Sequence, residues 1–210
     1  KMEPHESYKE ELEQIVGDCG EFMPSGHFPA GKNPLLRIRF RNAKIASFEA
    51  FELKVGQLVS DVKEYIKSNP RELKWERLDL NDIGRRIVQQ NESKYIAAKI
   101  AEWKLELKPK NGHWDKVRNV EVPFSKAGAY IVTAKFGDGN VSRITLWLND
   151  TVIVRKPGDN SMIYYCADAV TGKPLAGASV EFFGYQIEYL EQKLWTLGRR
   201  HNVITQSFEV

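Results

Sequence analysis

Apolar positions change their period along this chain, and each change marks a boundary between element types. Over 6–16, Tyr8, Leu12 and Ile15 recur at helical spacing, which predicts a short amphipathic helix. Residues 17–34 then carry Gly17, Gly20, Pro24, Gly26, Pro29, Gly31 and Pro34, a density of breakers that predicts an extended connector without regular elements. From 36 the period becomes two. Leu36, Ile38 and Phe40 alternate with Arg37, Arg39 and Arg41, as in a half-buried strand with a solvated basic face. A further strand is expected over 46–55, with Phe48 and Ala50 apolar.

Helical spacing returns at 57–68, where Leu58, Val59, Val62, Tyr65 and Ile66 form one face. Asn69-Pro70 ends the helix, because a residue before proline avoids the α region. A second helix is expected over 81–89, with Asn81 or Asp82 near its N-cap and Ile83, Ile87 and Val88 inward. Residues 57–90 therefore read as a helical insertion in a β domain, with Trp75 and Leu78 packed as its lid.

Period-two patterns dominate from residue 94 onward. Residues 94–107 predict one long strand, Trp103, Leu105 and Leu107 sharing a face, with a bulge near Ala101-Glu102 where the phase shifts. Pro123 restricts a short strand at 117–124 to an edge or a strand end. Tyr130, Val132, Ala134 and Phe136 alternate before Gly137-Asp138-Gly139-Asn140, and an apolar run resumes from Val141. That is a hairpin, with Gly137 and Gly139 supplying the positive φ angles of its loop. Further strands are expected at 152–155, 162–167 and 179–183. The apolar cluster at 188–197 reads as a strand pair or a helical turn at an interface. Many short strands between glycine and proline turns predict a mainly β protein of antiparallel sandwiches rather than βαβ units.

Composition narrows the function classes. Basic and acidic residues, 31 and 28, are interspersed, so the chain lacks the one-sided basic face of a nucleic-acid binder. No apolar run reaches the roughly 20 residues that cross a bilayer. Lys1-Met2-Glu3-Pro4 has no features of a signal peptide, so either a leader has been removed or the chain is an excised fragment of a longer one, and the second is expected. Cys19 and Cys166 stand far apart without metal-ligand spacing; a disulfide between them is open on sequence alone.

No chemistry is expected of the chain itself: no catalytic residues, no cofactor-binding residues and no metal ligands. His5, His27, His113 and His201 are scattered, and no His-x-x-x-His, Cys-x-x-Cys or Gly-x-Ser-x-Gly pattern occurs. Gly137-Asp138-Gly139-Asn140 lacks the alternating acids and terminal glutamate of a calcium loop. Among the five tryptophans, Trp103 and Trp147 fall in strand patterns and are expected in the core, whereas Trp114 is the candidate for exposure.

Ala127-Gly-Ala-Tyr-Ile-Val-Thr-Ala-Lys-Phe, Leu146-Trp-Leu-Asn-Asp and Ala167-Asp-Ala-Val-Thr-Gly-Lys-Pro-Leu-Ala-Gly-Ala-Ser-Val resemble stretches of bacterial alpha-2-macroglobulin-like proteins. Arg39-Phe-Arg-Asn-Ala-Lys-Ile and Ala101-Glu-Trp-Lys-Leu-Glu-Leu are similar to the N-terminal region of that family. The resemblance covers 35–56 and 94–184. It implies tandem macroglobulin domains of fibronectin-like β-sandwich type, in a periplasmic or cell-surface protein that traps proteases after a bait segment is cut. A thioester, present in many members, needs Cys-Gly-Glu-Gln. Here Cys19-Gly20-Glu21 is followed by Phe22, which has no side-chain carbonyl that could acylate the thiol, so no thioester is expected.

The expected organisation is an N-terminal arm (1–34), a macroglobulin-like sandwich (35–148) with its helical insertion (57–90), and a second sandwich (149–210). That last stretch is shorter than the roughly 100 residues of an immunoglobulin-like domain and is expected to be truncated. Its partners would be the remaining domains of the same chain and, through the full-length protein, target proteases. The alternatives are a surface β-sandwich module binding glycan or protein, and an accessory domain of a secreted hydrolase.

Overall fold

The computed structural model describes residues 6–24, 27–68, 93–184, 186–196 and 199–209, the last two ranges by backbone alone. Two compact units emerge: Lys1–Leu53 with Ile96–Ala176, and Lys54–Tyr95 with Gly177–Val210.

The first unit holds a β-sandwich. One sheet is β1 (Cys19–Phe22), β3 (Leu35–Arg41) and β6 (Lys116–Glu121), with β3 in the middle. The other runs β2 (His27–Pro29), β8 (Val141–Asn149), β7 (Gly128–Phe136), β4 (Ile45–Leu53) and β5 (Ile96–Glu106). All neighbours are antiparallel except β2 and β8. Period-two patterning explains the layers. Leu36, Ile38 and Phe40 of β3 point inward to meet Phe48 of β4 and Val132, Ala134 and Phe136 of β7, all fully buried. Phe22 reaches across to Phe48, ring centroids 6.3 Å apart, and Trp103 stacks on the same ring at 5.0 Å. Side chains of this size contribute about 1.5–3 kcal/mol each when fully buried.

Three sequence expectations change here. Residues 17–34 are no irregular connector, since β1 and β2 lie within them and Phe22 enters the core. Gly20 serves close packing instead: a Cβ there would sit 2.4 Å from the Phe136 ring. In the hairpin loop only Gly137 has a positive φ, +51°. Gly139 is required for a different reason, because a Cβ there would fall 1.8 Å from the Asp18 carbonyl oxygen. Residues 179–183 form no strand. The bulge in β5 is close to its expected place: Ala50 pairs with Ala101 and Phe51 with Lys99, leaving Ile100 extra. β6 occupies a sheet edge, as Pro123 requires.

Helix α1 (Glu6–Val16) is held at its C-terminal end. Asn42, at φ +62°, donates to the carbonyls of Ile15 at 2.9 Å and Gly17 at 2.7 Å, and the Arg41 guanidinium donates to that of Gln14. Those carbonyls have no partner within the helix, and a cation there also suits its dipole. The stripe of Tyr8, Leu12 and Ile15 remains exposed.

Beyond the sandwich, β9 (Thr151–Pro157) and β10 (Met162–Asp168) pair as a two-stranded ribbon. Asp168 organises the turn after β10, accepting from the amides of Val170 and Thr171 and from the Thr171 hydroxyl. Gly172, at φ +69°, lets the chain fold back so that Pro174 bridges Ala167.

In the second unit α2 (Val55–Lys67) buries Leu58 and Ile66, as its helical spacing predicts. Asp61 accepts from Lys94 and from Tyr95 of a short 3-10 turn (Ser93–Tyr95), and those two bonds hold its carboxyl below the ordinary range. Burial pushes the Tyr95 hydroxyl up. Lys63 pairs with Glu181 and lies over the Phe183 ring. β11 (Gln186–Thr196) and β12 (Arg199–Glu209) pair antiparallel, so 188–196 of the expected cluster is strand. The helix expected at 81–89, with Trp75 and Leu78, lies outside the described residues. Among those described, no helix is long and apolar enough to cross a membrane.

Candidate functional site

Cys19 is the residue on which reactivity would centre, and its surroundings test that idea. It is a half-buried free thiol at the start of β1, as Cys166 is in β10. Cys19 borders two clefts, one of about 580 Å³ with Glu13, Asp18, Arg41 and Asn140, the other of about 200 Å³ with Arg39, Glu21 and Asp115. Among the described residues no histidine lines either cleft, so none of them offers the thiol the imidazole base that usually activates such a nucleophile. The charges are balanced rather than gathered. Arg39 pairs with Glu21 and lies 4.0 Å from Asp115, while Glu13, Asp18 and Arg41 all line the larger cleft. Phe22, the residue standing where a thioester needs glutamine, is buried against Phe48.

The other residues singled out by sequence have structural settings. Arg37 and Arg39 face solvent, but Arg41 turns partly inward to grip α1. His27 stacks on Trp147 at 6.1 Å, and His113 Nδ1 lies 2.8 Å from Asn42 Oδ1. Trp103 and Trp147 are half-buried, and Trp114 is 70% exposed. The Gly137–Asn140 loop is a hairpin turn, closed by the Gly139 amide donating to the Phe136 carbonyl at 2.8 Å. Among the described residues, no three His, Cys, Asp or Glu side chains are grouped as a metal site would require.

What the molecule presents most conspicuously is the ribbon. Cross-strand pairing places Val152, Val154, Ile163 and Tyr165 on one face, and Ile153, Met162 and Tyr164 on the other. All seven are exposed, Ile163 at 58% and Val154 at 56%. Sequence reading found these strands but not their two-sided exposure, which depends on what lies beside them. It also missed Asn42, Asn140 and Ser142, whose side chains bond to main chain far away in sequence.

No protein-family model matches this sequence, and no curated protein matches it. Among solved structures, the chain is similar to a crystal structure of native alpha-2-macroglobulin from Escherichia coli spanning domains MG0-NIE-MG1. The TM-score is 0.50 at 13% identity, over 92% of this chain and 58% of that one. A crystal structure of the same protein spanning NIE-MG1 aligns with TM-score 0.45 at 13% identity, over 93% and 88% of the two chains. A cryo-EM reconstruction of its native conformation aligns with TM-score 0.40 at 13% identity, over 91% and 11%. The chain thus spans little more than half of the first of these, and at this identity the likeness is one of fold: a mainly β chain with the β-sandwich architecture of macroglobulin domains.

Proposed function

We propose that this chain is a non-catalytic scaffold segment of an extracytoplasmic, macroglobulin-like protein that traps proteases. The β-sandwich of the first unit would supply one module of that scaffold. The observation that carries this reading is the path shared with the E. coli alpha-2-macroglobulin fragment over 92% of the chain. The sandwich core, the balanced charges and a thiol without an imidazole base fit a part that positions other elements rather than one that reacts. A glycan-binding module would call for a row of exposed aromatic rings, whereas Tyr164 and Tyr165 point to opposite faces of their ribbon.

The test uses the natural polypeptide that carries this segment, mixed with a broad-specificity protease. Cleavage of a large protein substrate should fall while hydrolysis of a small chromogenic peptide persists, since a trap blocks access without blocking chemistry. The 210-residue chain alone should change neither. Equal loss of both activities, or inhibition by the chain alone, would reject the reading.

A further inference from the structure

We propose that Asn111 is a site of spontaneous, structure-permitted deamidation. It is the one asparagine in the sequence followed by glycine. The pair sits at the tip of the exposed turn between β5 and β6, with Gly112 at φ +76°. Gly112 has no Cβ to screen its nitrogen. Among the described residues, neither the Asn111 carboxamide nor the Gly112 amide has a hydrogen-bond partner. Both reacting groups are therefore uncommitted.

The chemistry needs only water. As the Gly112 amide loses its proton, its nitrogen attacks Cγ of Asn111. The bond from Cγ to the carboxamide nitrogen breaks, and ammonia leaves with the proton. The resulting five-membered imide takes up one water at either carbonyl, giving an aspartyl or an isoaspartyl residue at position 111. Nothing is oxidised or reduced, and a neutral side chain becomes a carboxylate.

Other positions in the same molecule provide internal contrasts. Asn140 has its carboxamide held on both sides by the Gly20 main chain and is followed by a β-branched valine. Asp138-Gly139 could form the same imide with loss of water, but the Gly139 nitrogen is committed to the Phe136 carbonyl. Asn42 donates to two carbonyls. At these three positions hydrogen bonding opposes the reaction as well as sequence.

The folded 210-residue chain is incubated at mildly alkaline pH and digested with trypsin, and the peptide spanning 111–116 is weighed over time beside a urea-denatured control. We expect its mass to rise by the difference between a hydroxyl and an amino group, at a rate less than an order of magnitude below that of the denatured chain. Ammonia should be released in step, the peptide carrying Asn140 should stay unchanged, and Asn111→Gln should remove the signal. Protection of the folded chain by an order of magnitude or more would overturn the proposal. So would modification of Asn140 at a rate comparable to that of Asn111.

Discussion

Asn140 and Gly20, 120 residues apart, exchange a reciprocal pair of hydrogen bonds. The Gly20 amide donates to Asn140 Oδ1 at 2.9 Å, and Asn140 Nδ2 donates to the Gly20 carbonyl at 2.8 Å. Two residues along, the Phe22 amide donates to Ser142 Oγ at 3.0 Å. Strand β1 therefore has main-chain partners on its β3 side and side-chain partners on its β8 side. A strand at a sheet edge is thereby fastened to the opposite sheet.

Asn140→Ala leaves both Gly20 groups without partners in a half-buried place. A loss of about 1–3 kcal/mol is expected, the usual cost of stranding such groups. Urea denaturation of the two proteins measures it. Ser142→Ala removes a single bond and should cost about 1 kcal/mol; a larger loss for Ser142→Ala than for Asn140→Ala would contradict this ranking.

Glycine substitutions should separate by their surroundings. Gly139→Ala drives a methyl group into the Asp18 main chain and should destabilise by about 1–3 kcal/mol. Gly56, in the first turn of α2, has open space where a Cβ would go. Gly56→Ala should stabilise by about 0.4–1 kcal/mol, through helix propensity and a less free unfolded chain. Thermal midpoints moving in opposite directions are the expected outcome.

How far the sequence led depended on the range of the interactions involved. Strands β3, β4, β7 and β8 and both described helices were legible, because alternation and helical spacing are local properties of residues such as Ile38 or Leu58. β1 was not. Four residues between glycines carry too little pattern, and Gly20 and Gly139 read as turn formers when one makes room for a ring and the other for a carbonyl. The Gly137–Asn140 turn was legible from its residue types. The side-chain ties of Asn42, Asn140 and Ser142 were not, because asparagine and serine near turns carry the same local signal whether or not a distant strand awaits them.

The β9–β10 ribbon should tolerate charge where the core does not. Val154→Lys and Ile163→Glu alter exposed positions and should shift stability by no more than about 0.5 kcal/mol in dilute solution. Phe48→Ala, which empties a site between Phe22 and Trp103, should cost about 3–5 kcal/mol. A large loss from either ribbon variant in a dilute monomer would mean that those side chains are covered.

Acid should loosen the turn after β10 through Asp168. The Thr171 hydroxyl, and then the amides of Thr171 and Val170, hold this carboxyl below its ordinary value of 3.8. The folded form thus favours the ionised state. Its contribution is complete above the ordinary carboxylate range and is lost as pH falls through the depressed value. Amide exchange at Val170 and Thr171 should accelerate over that interval, and Asp168→Asn should abolish the pH dependence.

Methylamine treatment of the folded chain should leave its mass and its count of free thiols unchanged, because Cys19 has Phe22 where an acyl donor would be needed. Amine incorporation would refute this.

The fastening of β1 also sets an order on assembly. Its seat consists of β3, which comes within 20 residues, and of Asn140 and Ser142, which come 120 residues later. During synthesis the N-terminal strand is made long before half of its seat exists. Long separations between partners slow folding, since the chain must close a large loop before any bond rewards it. The sandwich should therefore close last at β1, which docks only after the β7–β8 hairpin has formed.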